Sequence, residues 1–136
     1  MKTFIADTGA LVALLDRADL HHSWAVQCFK TLRPPLITCE SVLAEALHLL
    51  KDLPASVTAL ARLEKEAILR VQFDFNSHAA PVWRLIHKYS DIPMDFADAC
   101  LLRMTELHAD CLLWTTDSDF RVYRRNGRQS IPLLNP

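Results

Sequence analysis

Short apolar runs alternate with longer amphipathic stretches along this chain. Five of the runs are rich in aliphatic or β-branched residues and are bounded by polar residues or proline, a pattern typical of buried strands. They are TFIA (3–6), PPLITC (34–39), ILRVQFDF (68–75), CLLWTT (111–116) and SIPLL (130–134). We therefore predict five strands.

The stretches between these runs carry apolar residues at helical spacing. The predicted helices cover 10–18, 21–32, 40–53, 55–67, 77–90 and 93–109, with a further short helix or loop before the last strand. Pro81 suits the fifth helix if it falls in an early turn. Strands separated by helices predict an α/β fold, in which a parallel sheet is covered by helices on both faces.

Composition indicates a compact protein with a substantial core. Of 136 residues, 51% are hydrophobic and only two are glycine, and no linker or repeat interrupts the chain, so we expect a single domain spanning 1–136. The formal charge of −1 neither favours nor excludes nucleic acid. Four widely spaced cysteines suggest buried thiols in a reducing compartment. Without a signal peptide or a long apolar run, we expect a cytoplasmic protein with no membrane partner.

Four acidic residues stand where this fold would bring them together. Asp7 and Asp117 directly follow predicted strands, Asp98 lies one turn into a helix, and Glu45 lies one to two turns into the helix after the second strand. Ligands of open α/β sheets bind outside the carboxyl ends of the strands. We therefore expect these four carboxylates to meet at one edge of the sheet.

Such a cluster requires a neutralising partner, because neighbouring carboxylates raise one another's pKa. Oxygen ligands without nearby histidine or cysteine favour Mg²⁺ or Mn²⁺, which suits hydrolysis of a phosphodiester. Each acid also has a structural alternative. Asp7 could serve only as a helix N-cap, Asp95 with Asp98 as a capping pair, and Glu45 as an exposed helical residue. The pair of Asp117 and Asp119 could belong to a turn.

The ordered set FIADTGALVALLD, LAEALHLL, DFADACLLRMTE and LLWTTDSDF resembles the PIN-domain nucleases, and in particular the VapC-type toxins. The resemblance covers nearly the whole chain. It implies a Rossmann-like three-layer fold with five parallel strands in the order 3-2-1-4-5. It also implies an acidic pocket for Mg²⁺ or Mn²⁺, cleavage of single-stranded RNA, homodimerisation and inhibition by an antitoxin protein.

The resemblance assigns the catalytic and metal-binding acids residue by residue. Asp7, Glu45, Asp98 and Asp117 match the four acids of the family, while Asp95 and Asp119 match acids found in only part of it. The chain departs from the family at Gly9, where serine or asparagine usually helps to hold the first aspartate. The neighbouring Thr8 is the residue that we expect to supply a hydroxyl instead.

A basic segment, FRVYRRNGR (120–128), follows the last of these acids. Since an acidic pocket repels RNA, cations at its rim are needed, and Arg121, Arg124 and Arg125 are the candidates for phosphate contacts. The interleaved Phe120 and Tyr123 either stack on bases or belong to the core.

Two other functions remain open from the sequence. One is a PIN-like domain that binds RNA or a protein without catalysis. The other is a phosphatase with Asp7 as nucleophile, which would require a second acid at the position of Gly9.

Overall fold

The computed structural model describes residues 1–136 and contains seven strands and six α-helices. The strands are β1 (Thr3–Ala6), β2 (Leu36–Thr38), β3 (Leu69–Val71), β4 (Cys111–Trp114), β5 (Arg124–Arg125), β6 (Gln129–Ser130) and β7 (Leu133–Leu134). The helices are α1 (Thr8–Leu15), α2 (His22–Thr31), α3 (Glu40–Leu49), α4 (Pro54–Lys65), α5 (Phe75–Lys88) and α6 (Phe96–Leu107), with a 3-10 turn at Ser118–Arg121.

The main sheet is parallel throughout and has the order β3-β2-β1-β4-β7. When only the five strands of this sheet are numbered along the chain, β7 becomes the fifth strand and the order is the expected 3-2-1-4-5. This order confirms the predicted α/β fold. The central strand β1 pairs with β2 on one side and β4 on the other, and its Ile5 and Ala6 are fully buried. A continuous apolar run suits this position, because helices cover both faces of the sheet.

The predicted strands are correct in position, and the first has the predicted bounds, but the other four are too long. The strands β2 and β3 have three residues each and β7 has two, whereas the apolar runs that predicted them have five to eight. The apolar residues of these runs that lie outside the hydrogen-bonded strands belong to turns or to the first turns of helices. Phe75, for example, is predicted to lie in a strand but is the first residue of α5. Periodicity alone does not locate the point at which a buried strand gives way to a helix.

The fifth helix accommodates its proline through a kink. Pro81 is the seventh residue of α5, but His78 has a non-helical backbone (φ −125°, ψ 15°) that separates a first turn from the rest. Pro81 therefore lies in the first turn after the kink, where the missing N–H costs little.

The basic segment forms neither a helix nor a simple loop. After the 3-10 turn, β5 and β6 pair as an antiparallel hairpin. Its turn contains Asn126 and Gly127, both with positive φ (51° and 83°), a conformation that asparagine and glycine adopt most readily. The Asn-Gly pair was the sequence signal for this hairpin.

The buried core lies between the sheet and its helices. Trp114 at the end of β4 is fully buried and packs against Trp24 and Phe29 of α2. All four cysteines are free thiols, and three of them are buried. None of the helices combines the length and apolar character needed to cross a membrane.

Candidate metal centre

Asp7 occupies the junction between the central strand and the first helix. It directly follows β1, caps the N-terminus of α1, and is only 6% exposed. One carboxylate oxygen accepts a hydrogen bond from the Thr8 N–H (2.6 Å) and the other from the Thr115 hydroxyl (2.6 Å). Asp7 is therefore both a cap and a rigidly oriented carboxylate at the carboxyl end of the sheet.

Asp95 and Asp98 form the capping pair at the start of α6. The Asp95 carboxylate accepts a hydrogen bond from the Asp98 N–H (2.7 Å), which fixes the first turn of the helix. Asp95 itself is exposed, whereas the Asp98 side chain is buried, with 8% exposure. Tyr123 lies just after the 3-10 turn, and its hydroxyl donates a hydrogen bond to Asp98 Oδ2 (3.3 Å).

Glu45 and Asp117 reach the same edge from two other elements. Glu45 is half-buried in the second turn of α3, the helix that follows β2. Asp117 stands between β4 and the 3-10 turn, where its carboxylate accepts from the Asp119 N–H (2.8 Å). The Thr115 hydroxyl that holds Asp7 also accepts from the Asp117 N–H (2.9 Å), so one side chain links two of the acids.

Burial and mutual repulsion raise the pKa of each carboxyl in the candidate metal-binding set. Burial raises the pKa of Asp98 to about 8, with further contributions from the charges of Asp95, Asp7 and Asp117. Burial likewise raises the pKa of Asp7 to about 6, against the lowering effect of its two hydrogen bonds. The pKa values of Glu45 and Asp117 are also raised, chiefly by burial and then by neighbouring acids. The four predicted acids and Asp95 therefore lie near enough to one another for neighbouring charges to raise the pKa of each predicted acid.

No cationic side chain of the protein neutralises this cluster. The three salt bridges join Lys2 to Asp110, Arg62 to Glu66 and Arg103 to Glu106, and all of them lie elsewhere. The donors are carboxylate oxygens, which fit Mg²⁺ or Mn²⁺ in kind. These side chains do not form a complete coordination shell, because no group of three acidic, histidine or cysteine side chains is arranged to hold one ion.

The glycine that departs from the family pattern is explained by packing at this edge. A Cβ built on Gly9 would collide with the hydroxyl of Thr116, in the segment between β4 and Asp117. The first turn of α1 thereby approaches the end of β4 closely. A serine at position 9, or the second acid that a phosphatase needs there, would require the Thr116 side chain to move.

The expectation that Thr8 supplies the hydroxyl that holds Asp7 is wrong. The Thr8 hydroxyl is buried and has no hydrogen-bond partner, while its backbone N–H serves the carboxylate. Thr115, which supplies the hydroxyl, is 108 positions away along the chain. Neither Thr115 nor Tyr123 carried a sequence signal for its contact, because each depends on how the strands are placed side by side.

The basic segment does not surround the acids as expected. The Arg125 guanidinium donates to the carbonyls of Thr105, His108 and Ala109, at the opposite end of α6 from Asp98. Arg124 folds back onto the carbonyls of the 3-10 turn and the residues after it. Arg121 is exposed. Asn135 lies just after β7, and when its amide oxygen faces Arg121 the Arg121 guanidinium donates hydrogen bonds to that oxygen.

The two aromatic residues of the same segment are core residues and cannot stack on bases. Phe120 and Tyr123 are fully buried and contact each other edge to face, with ring centroids 5.4 Å apart. Tyr123 also contacts Tyr89 (5.0 Å) at the end of α5. Their role is to pack the 3-10 turn against α5 and α6.

Comparison with known proteins identifies the family of the chain. Residues 4–126 match the family model described as PIN domain, and the chain belongs to that family. The search of curated proteins found no match. Among solved structures, the chain is similar to Mycobacterium tuberculosis VapC20, whose title calls it a toxin that cleaves the sarcin-ricin loop. The TM-score is 0.77 at 20% identity, over 88% of this chain and 94% of that one, a likeness in fold.

Proposed function

We propose that this protein is an endoribonuclease that hydrolyses phosphodiester bonds of single-stranded RNA and depends on Mg²⁺ or Mn²⁺. The observation that carries the proposal is the cluster of Asp7, Glu45, Asp98 and Asp117 at one sheet edge, with raised pKa values and no cationic partner. Such repulsion destabilises the fold unless a ligand offsets it, and carboxylate oxygens select a hard divalent cation.

These four residues would hold the ion, and their neighbours would fix them in place. A divalent cation held there would polarise the phosphoryl group and would offset the negative charge that develops as the phosphodiester bond breaks. Asp7 is oriented by the Thr115 hydroxyl and the Thr8 N–H, and Asp98 is oriented by Tyr123. The Asp95 carboxylate fixes the helix turn that carries Asp98, whereas Asp119 contributes its backbone N–H, which donates to the Asp117 carboxylate. We assign a supporting role to Asp95 through its side chain and to Asp119 through its backbone.

The biological setting that we propose is a toxin–antitoxin pair. Membership of the PIN family and the fold likeness to an RNA-cleaving VapC toxin support an RNA substrate and an antitoxin protein as partner. By the same resemblance we expect a homodimer and a cytoplasmic location. A small reading frame beside this one, encoding a DNA-binding antitoxin, would support this setting directly.

A cleavage assay on mixed single-stranded RNAs tests the proposed reaction. We expect cleavage with Mn²⁺ or Mg²⁺ and none in EDTA, because nothing else in the protein neutralises the carboxylates. Adding back Mn²⁺ in excess over EDTA should restore the cleavage rate. Cleavage that persists in EDTA would contradict metal dependence, and RNA binding without cleavage under any condition would favour the PIN-like binding domain.

A further inference from the structure

A row of mostly exposed aromatic and basic side chains lies along α5. It begins beside the first residue of α6, which contacts the start of α5. Phe96 is the first residue of α6 and directly follows Asp95. Its ring contacts Phe75 at the start of α5 (centroids 5.2 Å apart), and Phe75 contacts Trp83 two turns further on (6.5 Å). Arg84 and Lys88 continue the same helix. We call these five residues the α5 strip.

Two of the three aromatic members of the α5 strip are exposed, while Phe75 is half-buried. Trp83 is 59% exposed and Phe96 is 42% exposed, whereas the core residue Trp114 is fully buried. The fold therefore leaves two large aromatic faces in solvent on one side of the protein, and one of them adjoins the acidic cluster. Exposed aromatic patches of this kind mark binding surfaces.

The far end of the α5 strip opens into a basic cleft of about 780 Å³. It lies between α5, α6 and the turn of the β5–β6 hairpin, and its lining includes Trp83, Arg84, His87, Lys88, Arg103 and Glu106. Glu106 is the only acid in this lining. Its two oxygens are taken by Arg103 (3.2 Å) and by the Asn126 N–H (2.7 Å), so it does not offset the other cations.

The remaining cations of the cleft are free to bind an anion. Neither Arg84 nor Lys88 takes part in a salt bridge. The Lys88 ammonium donates to the Gly127 carbonyl over a long distance (3.4 Å) and lies 5.2 Å from the centroid of the Tyr89 ring. The two residues lie one helical turn apart on one face of α5, so both can reach one extended polyanion. In a chain whose formal charge is −1, this is a local concentration of positive charge.

We propose that the α5 strip is a second binding site for single-stranded RNA, which holds the strand on one side of the acidic cluster. In this arrangement Trp83 stacks on a base, and Arg84 and Lys88 contact phosphates. Interleaved aromatic faces and cations match the alternation of bases and phosphates in a single strand. The site deepens the proposed function on which it rests, and it supplies the cations that the 120–128 segment does not.

An RNA-binding measurement separates this site from the cleavage reaction. The probe is a fluorescein-labelled oligouridine of about twelve nucleotides, titrated in EDTA so that no RNA is cleaved. Without a metal ion the acidic cluster repels the strand, so affinity depends on the α5 strip. The matched control pair is Lys30→Ala with Arg33→Ala, two exposed cations at the end of α2 and just before β2.

We expect Trp83→Ala to weaken RNA binding at least about fivefold and Trp83→Phe to retain most of the affinity, because stacking survives in the second variant. Arg84→Ala with Lys88→Ala should weaken binding about tenfold at low salt. The slope of log Kd against log salt should fall by about 1.4, since each phosphate contact in a single strand contributes about 0.7. The control pair should leave both quantities within about twofold of the wild type.

Two results would overturn the α5 strip as an RNA site. One is an unchanged Kd in all strip variants, or a loss no larger than that of the control pair. The other is a change of oligomeric state in Trp83→Ala with unchanged RNA affinity, which would assign the strip to a protein interface. Cleavage of RNA by the wild type with Mn²⁺ reports on the proposed function separately. If the wild type cleaves nothing while the strip variants still lose affinity, the proposed reaction fails and the second site stands.

Discussion

Asp98→Asn is expected to reduce RNA cleavage by at least about 10³-fold while making the metal-free protein more stable at alkaline pH. The loss follows because the variant removes one of four carboxylates proposed to hold the cation, whose charge stabilisation is worth several kcal/mol in such reactions. The gain follows because Asp98 is buried among Asp7, Asp95 and Asp117, which disfavour its ionised form. Asparagine keeps an oxygen that can accept from Tyr123.

The two effects are measured on the same protein sample. Single-turnover cleavage with Mn²⁺ reports the first, and a thermal melt in EDTA at about pH 8.5 reports the second, where we expect the melting temperature to rise by about 5 °C or more. Asp52→Asn, the same chemical change at an exposed position, should alter neither quantity. A strongly destabilised Asp98→Asn would mean that Asp98 serves the fold, and undiminished cleavage would remove it from the site.

The stability of the metal-free wild type should fall as the pH rises from about 4 to about 8. Asp98 and Asp7 have folded-state pKa values of about 8 and about 6, above the ordinary 3.8, so the folded protein keeps protons that the unfolded chain releases. This contribution is complete below the unfolded pKa and is lost as the pH passes through the folded values. Glu45 and Asp117 contribute in the same direction.

Melting curves in EDTA across this range test the prediction. The informative quantity is the difference between the wild type and Asp98→Asn, because contributions that the two proteins share cancel in it. We expect the two curves to coincide at or below about pH 4 and to separate as the pH rises toward about 8, with the variant above the wild type. Added Mn²⁺ should raise the wild-type curve most at high pH, where the carboxylates are ionised. Parallel curves at every pH would contradict the raised pKa of Asp98.

The sheet and the acidic edge were predictable because each depends on short-range patterns. A buried parallel strand requires a continuous apolar run, and Asp7 and Asp117 follow such runs in the sequence. The rule that ligands bind at the carboxyl ends of parallel strands then brings the acids together without knowledge of any side-chain contact. The strand order itself came from the family resemblance, since the apolar pattern does not specify which strands are neighbours.

The supporting contacts were not predictable, since they join residues distant in the sequence. Thr115 holds Asp7 across adjacent strands, and Thr116 explains why position 9 is glycine. Arg125 looked like a phosphate ligand because it follows an acid closely in the sequence, but the hairpin turns it toward the far end of α6. The sequence indicated only that Trp83 belongs to an amphipathic helix. The exposure of its side chain depends on how α5 packs against the rest of the protein.

The most direct test of the central claim is a calorimetric titration of the metal-free protein with Mn²⁺ at about pH 7, in two buffers of different ionisation enthalpy. If the carboxylates of Asp7, Glu45, Asp98 and Asp117 share one ion, Mn²⁺ binds and releases close to one proton. The proton comes chiefly from Asp98, whose pKa of about 8 keeps it protonated before the ion arrives. Asp98→Asn should bind at least about tenfold more weakly and release no proton from this site. Absence of binding at millimolar Mn²⁺, or equal binding and proton release in both proteins, would contradict the claim.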